Sequence, residues 1–313
     1  DLPALLERNV EWVGLSWNGK DLAAHAEVRG FLGTMSGWGE APAGDIQTVL
    51  PDNTALMARA AFDSPRRFFE RIKRAESADF EQYVLPWAGH EAAWVVTEPF
   101  SAAMRDDQYV VLAARDSAAA LASLREYASR RGALRVGDYQ TFEVFEFMSQ
   151  SLLAPLVGES RNFRTPCCAI TGRYVILANT RSALELWIDK FIVNQTLANN
   201  TDFLQLQQKK PAAGGNLQVL LNTAYLPLLL KNLFDADRIS FHPPDVQALS
   251  AAGFIGLQAR AAGDDRLELQ LAAQTQAAAA TETSILWKTP LAGLAATLAT
   301  ALAPLAGARR HSR

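Results

Sequence analysis

The chain has 313 residues, of which 49 % are apolar and 20 % are charged, and its formal net charge is −3. This composition is typical of a packed globular protein and excludes an intrinsically disordered one. Binding to a phosphate backbone requires clustered positive charges. Because the chain has no excess of positive charge, nucleic acid is not expected as a partner.

Residues 1–44 are interpreted as a leader segment. An apolar pattern that includes Trp12 and Val13 favours a partly helical start. Several glycines and a proline between Gly30 and Pro42 then interrupt this pattern. The chain starts at Asp1, so we expect that any signal peptide or amino-terminal anchor has been removed.

A more regular pattern begins at residue 45. Residues 55–60 predict a short strand, and Ser64 is a predicted N-cap for a helix that has Pro65 in its first position. The helix is rich in arginine and could bind an acidic lipid or polymer. Because Glu70 and Glu76 are interleaved with the basic residues, the pattern favours a solvated face.

An internal repeat is the most informative pattern in the sequence. Residues 109–113 (YVVLA) and 174–178 (YVILA) are each followed, at the same spacing, by a Ser-Ala pair that begins with Ser117 or Ser182. Both copies predict a hydrophobic strand, a turn whose serine caps the next helix, and an amphipathic helix.

Further strands are predicted on both sides of the repeated segments. They cover residues 92–96, 167–170, 139–147, 217–221, 254–260 and 266–271. In the third of these, Glu143 and Glu146 have an odd spacing that implies a bulge or a strand end. The last two alternate around Gly263-Asp264-Asp265 and predict a hairpin. An apolar helix interrupted by Pro227 is expected over residues 224–234.

These elements predict an α+β fold with antiparallel sheets, helices packed on one face, and an internally repeated strand-turn-helix unit. The predicted organisation is a leader (1–44), a repeated α+β region (45–275, with units of roughly 45–135 and 136–275) and an Ala-rich linker and tail (276–313). Residues 290–308 could form a tail anchor, but their Ala and Thr content and Pro304 favour a loosely ordered tail.

The two cysteines, Cys167 and Cys168, are adjacent in sequence. Neighbouring cysteines rarely satisfy the geometry of a disulfide, so an internal bridge is not expected. Because both lie in an apolar run, buried and inert thiols are favoured over a reactive vicinal dithiol. The cysteines therefore leave the redox compartment open.

Motifs that would define a catalytic or metal site are missing from the sequence. It contains no Gly-x-Ser-x-Gly elbow, no phosphate-binding loop and no Gly-x-Gly-x-x-Gly after a strand. The four histidines lack a second histidine three to five residues away; they are His25, His90, His242 and His311. We therefore assign no catalytic residue, cofactor or metal.

A few residues still have a chemical interpretation beside a structural one. His90 and Glu91 are the best candidates for acid–base chemistry, and the alternative is that His90 caps a loop while Glu91 faces solvent. The pairs Asp106–Asp107 and Asp264–Asp265 could hold a hard cation, but aspartates also form turns readily.

Several segments give the chain a resemblance to a family of uncharacterised bacterial cell-envelope proteins of the Bacteroidetes type, whose domain has no known function. The resemblance is carried by Leu50-Pro51-Asp52 with Thr54, Gly89-His90-Glu91, residues 174–180, residues 196–200 with Phe203, and the terminal hairpin. It implies a repeated α+β region outside the cytoplasm, in the periplasm or cell envelope, and an amino-terminal anchor or signal.

Three functions are compatible with these observations. The first is a non-enzymatic extracytoplasmic scaffold or binding protein, whose partner would be another envelope protein. The second is a carrier of an apolar ligand such as a lipid, held between the sheet and its helices. The third is an enzyme with dispersed catalytic residues. The first is the prediction, and we expect membrane contact only through an anchor.

Overall fold

The computed structural model describes residues 10–17, 21–29, 45–72, 77–98, 107–131, 133–147, 152, 155, 166–209, 216–233, 253–261 and 266–274. The strands within these ranges are β1 (Val10–Trp17), β2 (Asp21–Arg29), β3 (Thr54–Ala61), β4 (Ala88–Thr97), β5 (Gln108–Ala114), β6 (Ala133–Tyr139), β7 (Phe142–Phe147), β8 (Cys167–Thr171), β9 (Tyr174–Ala178), β10 (Leu217–Asn222), β11 (Phe254–Ala261) and β12 (Arg266–Gln274). The helices are α1 (Pro65–Ile72), α2 (Ala78–Tyr83), α3 (Ser117–Arg131), α4 (Arg181–Ile192), α5 (Thr201–Lys209) and α6 (Leu226–Leu233).

All of these strands belong to one antiparallel sheet with the order β1-β2-β12-β11-β10-β3-β4-β5-β9-β8-β7-β6. The predicted α+β class is therefore confirmed. The predicted hairpin is also present, because β11 pairs with β12. Its turn, with Asp264 and Asp265, lies outside the described residues.

The leader contributes strands to this sheet. The helical start that we expected near Trp12 is wrong, because Trp12 lies in β1. Strand β2 pairs along its length with β12, so β1 and β2 belong to the same sheet as the other described strands.

The sheet has two buried faces, which the alternation in β5 distinguishes. We call the side of Tyr109, Val111 and Ala113 face A, and the side of Val110 and Leu112 face B. Every residue of β5 is buried, so an apolar cover is needed on both sides.

Helices meet this need on both faces, which corrects the prediction of helices on one face only. Helices α4 and α5 cover face A through Leu184, Trp187, Ile188, Phe203 and Leu206. Helices α1, α2 and α3 cover face B through Phe68, Phe69, Phe80, Tyr83, Leu124 and Tyr127. Helix α6 extends the cover of face B over β3 and β10 with Leu226 and Leu229.

The two similar segments lie side by side but are not equivalent over their whole length. Strands β5 and β9 are antiparallel neighbours, and Val111 is the register partner of Ile176. Tyr109 and Tyr174, which match in the sequence comparison, both point to face A. However, α3 packs on face B and α4 on face A, so the helices occupy different surroundings. Only the strand part of the unit has equivalent positions.

The helix caps differ from the predicted serines. The side chain of Asp116 accepts hydrogen bonds from the backbone N–H groups of Ala118 and Ala119, at 2.8 and 3.0 Å. Ser117 instead donates to the carbonyl of Gly172 in the neighbouring turn. In the second segment the cap is Thr180, because α4 begins at the next residue. Each helix therefore starts before the position that the repeat suggested.

Residues 139–147 form the end of one strand and all of the next. The turn between β6 and β7 contains Gln140 with a φ of 55°. The odd spacing of Glu143 and Glu146 has a physical explanation, because the two side chains leave β7 on opposite faces. Glu143 pairs with Arg125 of α3 at 2.6 Å, and Glu146 pairs with Arg181 of α4 at 3.1 Å.

Among the described residues, no helix is both long and apolar enough to cross a membrane. The predicted tail, residues 276–313, lies outside them. The basic helix α1 has a solvated outer side, where Arg66 lies 3.8 Å from both Glu70 and Glu81. This agrees with the prediction that the basic residues of the helix form a solvated face.

Candidate functional site

A short segment before β3 brings several of the sequence motifs together in space. We call residues 45–53 the strap. Its apolar side chains Ile46, Val49 and Leu50 are buried in the core on face A. Polar contacts hold the strap at both of its ends, and these contacts define the candidate site.

The first end of the strap is fixed by Asp45. Its carboxylate forms an ion pair with Arg173, with Nε 2.9 Å from Oδ1. The hydroxyl of Tyr174 donates to the same oxygen at 3.0 Å and accepts from Arg173 Nη2 at 3.2 Å. Arg173 occupies the tight turn between β8 and β9, so this contact joins the strap to that hairpin.

A buried ion pair continues inward from this contact. Glu91 of β4 and Arg59 of β3 are 1 % and 7 % exposed at their side chains, and Nε lies 2.6 Å from Oε1. Arg59 also donates to Gln218 of β10 at 3.2 Å. Arg173 and Tyr174 approach the second carboxylate oxygen of Glu91, at 3.7 and 3.4 Å. The pair therefore links four strands and the strap.

Among the described residues, the charges of this cluster balance, since the guanidinium groups of Arg59 and Arg173 face the carboxylates of Glu91 and Asp45. Burial raises the pKa of Tyr174 well above its ordinary value of 10.0, and the charge of Glu91 raises it further. The tyrosine is thus a neutral hydrogen-bonding group across the whole physiological range and a poor proton acceptor. The arrangement is suited to fixing strands in place, because each charge already faces an opposite one.

The second end of the strap is fixed by Asp52. Its carboxylate accepts from Lys190 of α4 at 2.8 Å, and its backbone N–H donates to the carbonyl of Gln195 at 3.0 Å. Asn200 donates to the carbonyl of Asp52, and the backbone N–H of Leu197 donates to that of Leu50. The motif segments 50–54 and 196–200 are therefore direct neighbours.

The prediction that Glu91 faces solvent is wrong. Glu91 is buried in the ionic cluster, whereas His90 is exposed and its Nδ1 lies 3.0 Å from the carbonyl of Phe62. The two residues point to opposite sides of β4, because neighbouring side chains alternate in a strand. A shared acid–base role is therefore not possible for them as placed.

Most of the remaining candidates lie outside the part of the chain whose side chains the structure describes. Asp107 is buried and follows Asp106, which lies outside the described residues together with His242 and His311. Of His25, only the backbone position in β2 is described. Within the described ranges, no group of three or more His, Cys, Asp or Glu side chains could hold a metal ion.

Sequence reasoning missed Arg59, Arg173 and Asp45. Arg59 offered a signal, because it is a charged residue inside a run of buried strand residues. Such a residue requires a partner of opposite charge, and Glu91 is the acid in the next strand. Nothing in the sequence links Asp45 to Arg173, since the strap fold brings them together.

Gly89 sits where β4 shifts register against β5, and it has no room for a side chain. A Cβ atom there would lie 3.0 Å from the carbonyl oxygen and 3.1 Å from the Cβ of Ala113. We expect Gly89→Ala to lower the free energy of unfolding by about 1–3 kcal/mol, because backbone must move to admit the methyl group. Urea unfolding measures this loss.

The matched control for that substitution is Gly137→Ala in β6. There the nearest atom to an added Cβ is Nη1 of Arg181 at 3.5 Å, which is an ordinary contact. The control should therefore be neutral or slightly stabilising, by up to about 1 kcal/mol. Equal losses at both glycines would contradict the close packing at Gly89.

The cysteines lie in β8 with Cys167 toward face A and Cys168 toward face B, and both are free and buried. Burial, followed by the charge of Glu146, raises the pKa of Cys167 from 9.0 to about 12. Burial also raises the pKa of Cys168. These properties fit the interpretation of buried, inert thiols and not that of a reactive dithiol.

We expect a pH-dependent stability from Cys167. Its folded pKa exceeds the unfolded one, so the contribution is complete below about pH 9 and is lost as the pH rises toward 12. The advantage of the parent over Cys167→Ala should shrink across that window by a few kcal/mol. Unfolding measured from pH 8 to 11 tests this, and a constant difference would contradict it.

Together, the fold and the site define an α+β protein in which a charge cluster around Glu91 ties neighbouring strands and a strap together. The chain belongs to the family described as "Protein of unknown function (DUF3352)", whose model matches residues 58–249. The prediction of an uncharacterised domain family is thereby confirmed. No curated protein matches the chain.

Three solved structures with the printed name TP0453 are similar in outline. Crystal form I has 9 % identity and a TM-score of 0.40, and covers 82 % of this chain and 86 % of that one. Form IV has 9 % identity and a TM-score of 0.42, covering 75 % and 82 %. Form III has 8 % identity and a TM-score of 0.43, covering 80 % and 85 %.

Proposed function

We propose that the chain is a non-enzymatic scaffold or binding protein of the bacterial cell envelope. The observation that carries this proposal is the charge balance of the buried cluster around Glu91. A catalytic acid or base needs a free proton-transfer partner within reach of a substrate. Glu91 instead lies 2.6 Å from Arg59 and is closed off from solvent.

The packing between the sheet and its helices supports a scaffold over a carrier of apolar ligands. On face A, the rings of Tyr109 and Trp187 are 4.7 Å apart, and those of Phe203 and Phe254 are 6.0 Å apart. On face B, Phe62 stacks on Phe68 at 4.2 Å. The protein's own aromatic side chains thus occupy the space that a bound lipid would need in these regions.

An activity screen tests the non-enzymatic proposal. The purified chain is incubated with chromogenic esters, phosphates and glycosides beside Glu91→Gln and Tyr174→Phe, which removes only a hydroxyl. We expect no turnover above the buffer rate in any sample. Turnover by the parent that either variant abolishes, while Glu126→Gln on the surface of α3 retains it, would refute the proposal.

Native mass spectrometry separates the scaffold from the carrier. The chain should have the mass of the polypeptide alone after purification from cells. A stoichiometric extra mass that organic solvent removes would favour a lipid carrier and contradict the packed interior.

The envelope location rests on the resemblance carried by residues 50–54, 89–91, 174–180 and 196–200. It is tested by fractionating the producing bacterium and probing with an antibody against the folded chain. We expect the signal in the periplasmic or membrane fractions. A signal confined to the cytoplasm would contradict this part of the proposal.

A further inference from the structure

The second half of the strap is bound to the rest of the fold through its backbone. The carbonyl of Leu50 accepts from the N–H of Leu197 at 2.9 Å, and the N–H of Asp52 donates to the carbonyl of Gln195 at 3.0 Å. These bonds attach residues 50–53 to the segment that follows α4. We call residues 50–53 the anchor of the strap.

The first half of the strap, residues 45–49, is bound in a different way, and we call it the arm. Within the described part of the chain, the backbone hydrogen bonds of the arm stay inside the strap. The N–H groups of Thr48 and Val49 donate to the carbonyls of Asp45 and Ile46, at 2.8 and 3.0 Å. The arm is therefore held on the fold by the burial of its apolar side chains and by the polar contacts of Asp45.

The ion pair at the start of the arm is open to solvent. The side chains of Asp45 and Arg173 are 58 % and 47 % exposed, and the distance from Nε to Oδ1 is 2.9 Å. Ion pairs with this exposure are weak, and salt screens them. The same carboxylate oxygen also accepts from the hydroxyl of Tyr174 at 3.0 Å. The arm thus has weaker polar contacts than the strands beneath it, which are hydrogen-bonded along their length.

We propose that the arm opens as a unit about the anchor while the sheet stays folded, and that the Asp45–Arg173 ion pair controls how often it opens. Segments that lack backbone bonds to the sheet open at a lower free energy than the core strands do. Opening withdraws Ile46 and Val49 from the core on face A and gives solvent access to Tyr174, which is 1 % exposed when the arm is closed. This conformational device goes beyond the scaffold function and does not depend on it.

Thiol labelling of the full chain tests the opening. Val49→Cys places a side chain of similar size on the arm, at a position that is 3 % exposed. The native Cys167 and Cys168 are controls in the same molecule, because both are buried in β8. Each labelling rate is divided by the rate of the same thiol in the urea-unfolded chain. The arm thiol should then react at least about tenfold faster than either control, and equal rates would overturn the proposal.

Two further substitutions in the Val49→Cys chain test the role of the ion pair. Arg173→Gln should raise the labelling rate of the arm about two- to fivefold. Arg130→Gln breaks a similarly exposed pair with Glu126 on α3 and should leave the rate unchanged. Raising sodium chloride from about 0.1 M to about 1 M should accelerate labelling unless Arg173 is already replaced, because salt screens only a pair that is present. Equal effects of the two substitutions would contradict control by this ion pair.

Hydrogen exchange on the unmodified chain gives a readout that does not depend on any substitution. The amides of Thr48 and Val49 should exchange at least about tenfold faster than those of Val111 in β5 and Ile176 in β9. Their exchange should also depend only weakly on urea below the unfolding transition, because a small opening exposes little surface. Exchange of the arm at the rate of these two strands, and with the same urea dependence, would overturn the proposal.

Discussion

Replacing Glu91 by alanine should lower the free energy of unfolding by about 3–5 kcal/mol, because the change removes the carboxylate that pairs with the buried guanidinium of Arg59. The side chain of Arg59 is 7 % exposed, so water cannot replace the lost carboxylate. Urea unfolding of the parent and the variant measures the difference. A decrease in the free energy of unfolding of less than about 1 kcal/mol would contradict a stabilising role of the ion pair between β3 and β4.

Two further variants separate the ion pair from a general effect of removing an acid. Glu126→Ala removes an acid that pairs with Arg130 on the exposed side of α3, and it should cost less than about 1 kcal/mol. The double variant Arg59→Met with Glu91→Leu replaces both charges by apolar groups of similar size. It should recover most of the stability that Glu91→Ala loses.

Replacing Trp187 by alanine should cost about 3–5 kcal/mol, because it empties a large volume between α4 and the sheet. Trp187 is 1 % exposed and its ring lies 4.7 Å from that of Tyr109. The hydroxyl of Tyr109 donates to the carbonyl of Ala183 in the same helix, so α4 loses part of its positioning as well. The near-ultraviolet circular dichroism signal should fall together with the unfolding midpoint.

Leu228→Ala in α6 is the control for this truncation. Leu228 is exposed on its helix, so its removal should change stability by less than about 0.5 kcal/mol. Comparable losses from both substitutions would contradict the central place of Trp187 in the core on face A.

Local sequence patterns predicted most of the strands and the class of the fold. The alternation in residues 254–260 and 266–271 identified the terminal hairpin, since its two strands are close in sequence and share one turn. Helix α1 begins at Pro65 and Ser64 accepts from the N–H of Arg67, as the capping pattern indicated. These features depend on neighbouring residues, and short-range physics is sufficient for them.

Features that depend on distant residues were not accessible in the same way. The strand at Trp12 has a pattern that also suits a helix, and its pairing with β2, which in turn pairs with β12, decides between the two. The faces of α3 and α4 depend on which side of the sheet each connection crosses. Similar strand-and-turn patterns therefore led to helices on opposite faces.

The site was partly visible in the sequence for the same reason. Glu91 stood out beside His90, but its partner Arg59 became recognisable only through the pairing of β3 with β4. Asp45 and Arg173 are joined by the strap, which no periodicity describes. The sequence therefore identified Glu91 as a candidate but did not indicate that it forms a buried ion pair.

The strand order has a consequence for how the protein is made. Strand β3 is bordered by β10, whose residue Gln218 is 159 positions beyond Arg59, and β2 is bordered by β12. The edges of β2 and β3 that bind β12 and β10 therefore stay unpaired until those late strands have been synthesised. Pairing over such separations slows folding and exposes the waiting edges to aggregation.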